Sequence, residues 1–318
     1  MSEKLRVKPR IGIALGSGAA RGWAHIGVFR GLTALGIEPE IIAGSSVGAL
    51  VGAAYAAGQI DQFDTWARAL DWKGIIKYLD PSLLGGGLIE GEKLTDLVGC
   101  YVQDLSFDGL PRHLGIVATE LEGGREIWFR DGPVIEAVRA SIGLPGLFTP
   151  FEVEGRWLVD GGLSNPVPVS LCKAMGADIV IAVNLNGDIL GRHFRHFADD
   201  PTKGNEKQKT DIWERIAGQV KSTLNTRKDI LLSRLFGESR DKPGLYEVVA
   251  SSINIMQDRI TRSRMAGDPP DIIITPRLSQ FGLMEFDRAE EAIQEGQAAV
   301  ERMQPALEML LNYSLTKG

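Results

Sequence analysis

The sequence predicts an α/β fold: a three-layer α/β/α sandwich around a mixed, mostly parallel central sheet. Three observations carry that expectation. Twice near the start, a short apolar run ends in a tight glycine turn and passes into a helical pattern, Ile11–Leu15 before Gly16 and residues 41–43 before Gly44. Strand–helix–strand–helix order calls for parallel βαβ units with right-handed crossovers. Two glycine-centred hairpin signals in the middle of the chain add antiparallel strands and make the sheet mixed. Two later apolar runs, residues 178–184 and 271–275, stand alone between helical patterns, as buried strands do.

In chain order, residues 11–15 are apolar throughout and read as a buried strand. Trp23, Ile26, Val28, Phe29, Leu32 and Leu35 then recur at helical spacing. Residues 41–43 form the next strand, and residues 47–57 a helix of small side chains that can lie close to a sheet. Helices are expected over 61–70 and 90–102, on either side of a looser stretch at 81–87. Strands at 114–119 and 126–129 flank Glu122-Gly123-Gly124, and a helix over 133–140 opens with proline. A second hairpin pairs 151–153 with 157–159 around Glu154-Gly155, and a helix follows at 169–175. Residues 187–210 are charged and aperiodic, a surface loop or lid. A helical insertion over 211–266, with patterns at 213–236 and 245–265, precedes the last strand and a closing helix at 287–311. All of this reads as one domain spanning 1–318, with its core motifs in 11–184.

Composition bounds the function. The chain has 318 residues, 44% hydrophobic and 24% charged, an ordinary balance for a soluble protein. A net charge of −6 lacks the basic field that duplex nucleic acid requires, and it argues against broad adsorption to anionic lipid. No apolar run approaches the ~18 residues of a membrane span. Residues 1–10 are charged, without the apolar stretch of a secretory signal. Cys100 and Cys172 are too few for a disulfide framework. A cytoplasmic setting follows, with peripheral contact at a membrane surface left open.

Gly44-Ser45-Ser46-Val47-Gly48 has the G-x-S-x-G form that holds a serine hydroxyl out on a sharp strand-to-helix turn. Ser46 is the candidate nucleophile. Gly16-Ser17-Gly18-Ala19-Ala20-Arg21-Gly22 lies at the end of the other early strand. Its backbone N–H groups, at a helix start, suit developing negative charge, and Arg21 would anchor the loop. It is not a nucleotide cradle: the Gly-Lys-Ser/Thr of a P-loop is missing, and Arg21 stands where a dinucleotide fingerprint has glycine.

A serine nucleophile needs a base. Of four histidines, only His193 and His196 come late enough for an α/β-hydrolase triad, and both lie in the charged loop. His193-x-x-His196 has no convincing further ligands, so neither a metal nor another cofactor is expected. His25, early in the first helix, is read as structural. Asp160 ends a strand, and Gly161-Gly162 after it allow close approach. A buried carboxylate of raised proton affinity can act as base; an Asp-Gly-Gly turn with no chemistry is the equal alternative.

Together, the run from Leu15 to Gly22 and on to Val28, the Gly44–Gly48 block, Ala140-Ser141 with Leu144-Pro145, and Asp160-Gly161-Gly162 resemble the patatin-like phospholipases. The likeness is greatest to compact bacterial members of the RssA type. The resemblance covers residues 11–184 in the right order and does not extend beyond. It implies a Ser46–Asp160 dyad without histidine and an oxyanion loop at Gly16, Ser17, Gly18 and Ala19. Arg21, Gly22, Gly44, Gly48, Gly161 and Gly162 would support these groups. The implied reaction is hydrolysis of acyl esters, phospholipids or lysophospholipids among them, through an acyl-enzyme. Ser17 and Ala19 depart from a glycine-richer loop, and alanine resists positive φ. Two rivals stand beside this reading: an esterase using His193 or His196, and a lipid- or protein-binding domain with vestigial chemistry. The stripe Trp213, Ile216, Val220, Leu224, Leu231 and Leu235 is expected to cover the sheet, with a membrane-facing role as the alternative.

Overall fold

The computed structural model describes residues 9–70, 91, 99–100, 105–188 and 245–317. The expected helix at 213–236, the loop at 81–87, His193 and His196 lie outside these residues, as does nearly all of 90–102 and 187–210. The chain divides into two compact units, residues 1–189 with 257–318, and residues 190–256. The first unit holds all the strands described below.

Alternation of apolar side chains builds this unit. β1 (Ile11–Leu15), β2 (Ile41–Ser45) and β7 (Ile179–Val183) are buried at every position. They pair in parallel, β2 and β7 on either side of β1, and β8 (Ile272–Ile274) continues the sheet beyond β7. Residues of alternating parity feed two cores, as the period of a strand requires. Ile13, Leu15, Ile42, Ile181 and Val183 face the larger core, which includes α1 (Ala24–Ala34), α2 (Val47–Ala56) and the final helix, Ala289–Lys317. Ala14, Ile41, Ala43, Val180 and Ala182 face the smaller one, built with the short helix Val169–Ala174. Burial on both faces is why these strands read as unbroken apolar runs.

The other part of the sheet is antiparallel. β3 (His113–Glu120) pairs with β4 (Glu126–Phe129) and with β6 (Arg156–Asp160), which pairs in turn with β5 (Phe151–Val153). The strand order is β5-β6-β3-β2-β1-β7-β8, with β4 also on β3. The mixed, mostly parallel sheet with helices on both faces is thus observed.

β3 carries the feature that matters most. His113 N–H donates to Glu40 O next to β2, and Leu121 N–H to Trp157 O on β6, whereas Glu120 N–H donates to Arg125 O on the β4 side. Backbone groups alternate between the two edges of a strand. His113 and Leu121, of one parity, therefore face one edge, and Glu120 faces the other. β2 and β6 lie end to end along the same edge of β3. β2 pairs as far as Ser45 with Val117, and β6 takes over with Asp160 at Ala118. A parallel strand and an antiparallel strand converge head-on, and the residues at the junction are Ser46 and Asp160.

Observed bounds stay close to those expected, with β4 and β5 as predicted. The first helix differs at its start: a 3-10 turn, Ala19–Trp23, precedes α1, and the glycine loop leads into that turn. Pro133 sits just before the helix Val134–Ser141 rather than in its first turn. The closing helix runs on to Lys317, with Pro305 inside it.

Candidate active site

Ser46 stands between β2 and α2 at φ 57°, ψ −125°. Positive φ in a residue with a Cβ costs on the order of 1–3 kcal/mol and persists only where the surroundings enforce it. Here they do. Ser46 O already accepts from Ala49 N and Leu50 N, the start of α2, while Ser46 N–H donates to Ser141 Oγ at 2.8 Å. Ser141 Oγ donates in turn to Val117 O at 2.6 Å, which ties the elbow to β3. Glycine is needed two residues on: a Cβ at Gly48 would lie 2.3 Å from Leu15 O, so only a bare backbone lets α2 cross the end of β1. Gly44 and Gly22 allow the same close approach, to Ala49 and to Val47.

The Ser46 hydroxyl donates to Asp160 Oδ2 at 2.5 Å. The other carboxylate oxygen, Oδ1, accepts Gly162 N–H at 2.7 Å. Asp160 N–H donates to Gly143 O, and Asp160 O accepts Thr119 Oγ1. Both carboxylate oxygens and both backbone polar groups of this residue are thus engaged, and its side chain is fixed toward the serine. A Cβ at Gly161 would stand 2.1 Å from Val117 O, so the turn after Asp160 passes directly over β3. Asp160 is 1% exposed. Burial lifts its pKa from 3.8 to about 6, against the opposing pull of the Ser46 and Gly162 hydrogen bonds. A carboxylate of that basicity on a serine hydroxyl is chemically able to remove its proton near neutral pH.

The glycine loop differs in part from expectation. Gly16 N–H is spent on Val183 O and Ser17 N–H on Pro166 O, because the end of β1 is stitched to β7 and to the 166 turn. These two residues shape the loop and offer no N–H to a ligand. The N–H groups of Gly18 and Ala19 have no acceptor among the described residues. Ala19 takes φ 49°, the conformation alanine resists, so the strain foreseen at this position is present. Ser17 Oγ donates to Ser45 Oγ at 3.1 Å and so links the loop to the Ser46 turn.

His25 is fully buried, with Nε2 2.8 Å from Gly16 O. Desolvation lowers its pKa to about 4, so the ring is neutral and Nε2–H donates to that carbonyl. This supports its structural reading, behind the loop. Arg21, 2% exposed, donates from Nη1 to Asn186 Oδ1 at 2.9 Å. Among the described residues there is no group of three or more His, Cys, Asp or Glu able to hold a metal, and no helix long and apolar enough to cross a membrane. Sequence reasoning did not single out Ser141, Thr119 or Asn186. Ser141 lay inside a quoted motif; the others carry no pattern that separates them from ordinary polar residues.

Residues 13–173, half of the chain, match the family pattern described as patatin-like phospholipase. An uncharacterized NTE family protein of Mycobacterium tuberculosis is 36% identical over 95% of this chain and 93% of its own length. A lysophospholipase of Emericella nidulans is 26% identical over 91% of this chain, which spans only 18% of that protein. The crystal structure of VipD from Legionella pneumophila covers 93% of this chain and 67% of its own, at 14% identity and a TM-score of 0.47, too loose a likeness to bear on the site. On the family pattern and the mycobacterial identity, the chain belongs to the patatin-like phospholipase family.

Proposed function

We propose that the protein is a serine hydrolase of lipid acyl esters that works through Ser46 and Asp160. The observation that carries this reading is the Ser46 Oγ to Asp160 Oδ2 hydrogen bond, made by a serine on a strained strand-to-helix turn. Family membership supports a lipid substrate, and the name of the Emericella nidulans relative points to lysophospholipids within that class. A cofactor enters no step.

In this mechanism Asp160 takes the hydroxyl proton as Ser46 Oγ attacks the ester carbonyl. The negative charge on the former carbonyl oxygen falls to the N–H groups of Gly18 and Ala19, which have no acceptor among the described residues. Collapse expels the alcohol, which takes the proton back from Asp160, and leaves the acyl group on Ser46. Water then attacks the acyl-enzyme, losing its proton to Asp160, and the proton returns to Ser46 as the fatty acid leaves. Asp160 is basic enough to accept and acidic enough to return a proton, given a pKa of about 6.

A fluorescent fluorophosphonate tests the proposal. The expected result is a labelled peptide containing Ser46, absent from Ser46→Ala, together with release of fatty acid from lysophosphatidylcholine by the unmodified protein. A folded protein that takes no label, or that binds an acyl-chain analogue without turnover, favours a binding domain with vestigial chemistry. Loss of labelling on replacing His193 and His196, with Asp160→Asn unaffected, returns the base to a histidine.

A further inference from the structure

A buried polar chain runs from the glycine loop to a helix distant in sequence. Arg21 Nη1 donates to Asn186 Oδ1 at 2.9 Å, and Asn186 Nδ2 donates to Gln257 Oε1 at 3.1 Å. All three side chains are at least 96% buried, with exposures of 2%, 3% and 4%. Asn186 is itself held past the end of β7, its N–H donating to Asn184 Oδ1 while Asn184 N–H donates to Ile274 O on β8. Gln257 belongs to the helix Leu245–Gly267. Burial of three amide or guanidinium groups in one line is costly unless each finds a partner, and such a network is fixed in one geometry when it does.

The same glutamine also meets the other half of the site. A Cβ at Gly162 would lie 2.4 Å from Gln257 Nε2, 2.4 Å from Ser17 Oγ and 2.9 Å from Asp160 Oδ1. Gly162 is the residue whose N–H holds Asp160 Oδ1. Gln257 therefore abuts the peptide that orients the base, and reaches through Asn186 to Arg21, two residues beyond Ala19.

We infer that Gln257 is a positioning residue that sets the Gly18–Ala19 N–H groups and the Asp160 turn relative to each other, acting through Asn186 and Arg21. Its chemistry is the rigid alignment of two groups that enter the reaction from separate strands. The inference rests on the reading of Ser46 and Asp160 as the reacting pair. Mispositioning such groups by about an ångström can cost up to ~10²-fold in rate.

Gln257→Met keeps the side-chain length and removes the amide; Arg21→Lys keeps the charge and removes the guanidinium fork. Turnover of a p-nitrophenyl ester, expressed per serine titrated by fluorophosphonate, is expected to fall about ten- to a hundredfold in each, with KM within about twofold. The double variant is expected to be no worse than the poorer single one, since both break one chain. Unchanged kcat per titrated serine, or losses that multiply, overturn the inference. A purely structural role lowers the titrated fraction and leaves kcat per site alone. Hydrogen exchange supplies a readout free of turnover. Gln257→Met is expected to speed exchange of a peptide spanning residues 16–22 about tenfold, with β7 unchanged; equal rates overturn the positioning role. If the unmodified protein takes no label, the proposed hydrolase falls while exchange still decides the coupling.

Discussion

The parallel and antiparallel parts of the sheet hold their site residues in different ways. β1, β2 and β7 are buried throughout, sandwiched between two cores, and Ser46 is forced into its strained turn by the packing of α2 across β1. β4 and β5 are only partly covered, and Trp157 on β6 is 46% exposed. There Asp160 is held by hydrogen bonds at its flanks, with Gly143, Thr119 and Gly162, although it is itself buried. Ser46, the proposed nucleophile, is placed mainly by shape, and Asp160, the proposed base, mainly by polar wiring. Both converge on β3, whose single edge receives the two strands head-on.

That contrast can be broken most sharply at Asp160. Asp160→Asn preserves the shape and the Gly162 contact but reverses the Ser46 one, its Nδ2 donating to Ser46 Oγ, and is expected to lower ester turnover by about three to four orders of magnitude, the scale of losing the proton acceptor. Stability should move the other way. The folded pKa, about 6, lies above the ordinary 3.8, so the fold disfavours the charged form. Asp160 therefore contributes most to stability below about pH 4 and loses that contribution as pH rises to 6, after which the loss is constant, at most about 3 kcal/mol. Melts at pH 8 should find the asparagine variant at least as stable as the parent, and an advantage that shrinks toward pH 4. A variant less stable at pH 8 contradicts the assignment of an ionised, buried base.

Next in size are the glycines at the two strand ends. Gly48→Ala and Gly161→Ala each drive a Cβ into backbone oxygen, Leu15 O or Val117 O, and are expected to cost about 3 kcal/mol or more and to remove activity. Gly155→Ala, in the β5–β6 turn at φ 75° with nothing within 4 Å, should cost only about 1 kcal/mol and leave turnover intact. Urea unfolding of the three separates close approach from backbone strain.

Ser141→Ala removes the hydroxyl that joins Ser46 N–H to Val117 O. Leaving both groups unpaired should cost about 1–3 kcal/mol, and a roughly tenfold fall in kcat at constant KM would mark its hold on the elbow. The smallest effect is expected at Trp157. Replacement of this exposed ring by threonine should change stability by no more than about 0.5 kcal/mol, which guanidinium melts can confirm. A large loss there would mean that the antiparallel part depends on packing after all.

Legibility in the sequence followed the same division. Strands buried on both faces announce themselves as apolar runs, so β1, β2 and β7 were placed within a residue or two. The elbow at Ser46 was legible because its glycines recur at fixed spacing in a motif with a steric cause. Asp160 was not decided by its residues alone, since an Asp-Gly-Gly turn looks the same with or without a role; the family resemblance singled it out. The loop at Gly16–Ala19 was half legible. Sequence marks where N–H groups gather but not which of them a neighbouring strand consumes, and Val183 O and Pro166 O took two. Asn186 and Gln257 left no trace, because a hydrogen-bond chain between residues 71 positions apart has no local pattern.

The most direct test of the central claim is the rate of Ser46 phosphonylation as a function of pH, in the parent and in Asp160→Asn. With Asp160 as the base, the parent rate should rise about tenfold per pH unit below 6 and level off above it, following the pKa of about 6. The asparagine variant should react about a thousandfold more slowly, without that inflection. An inflection that survives in Asp160→Asn would assign the proton to another group and contradict the head-on pairing of Ser46 and Asp160 as the source of reactivity.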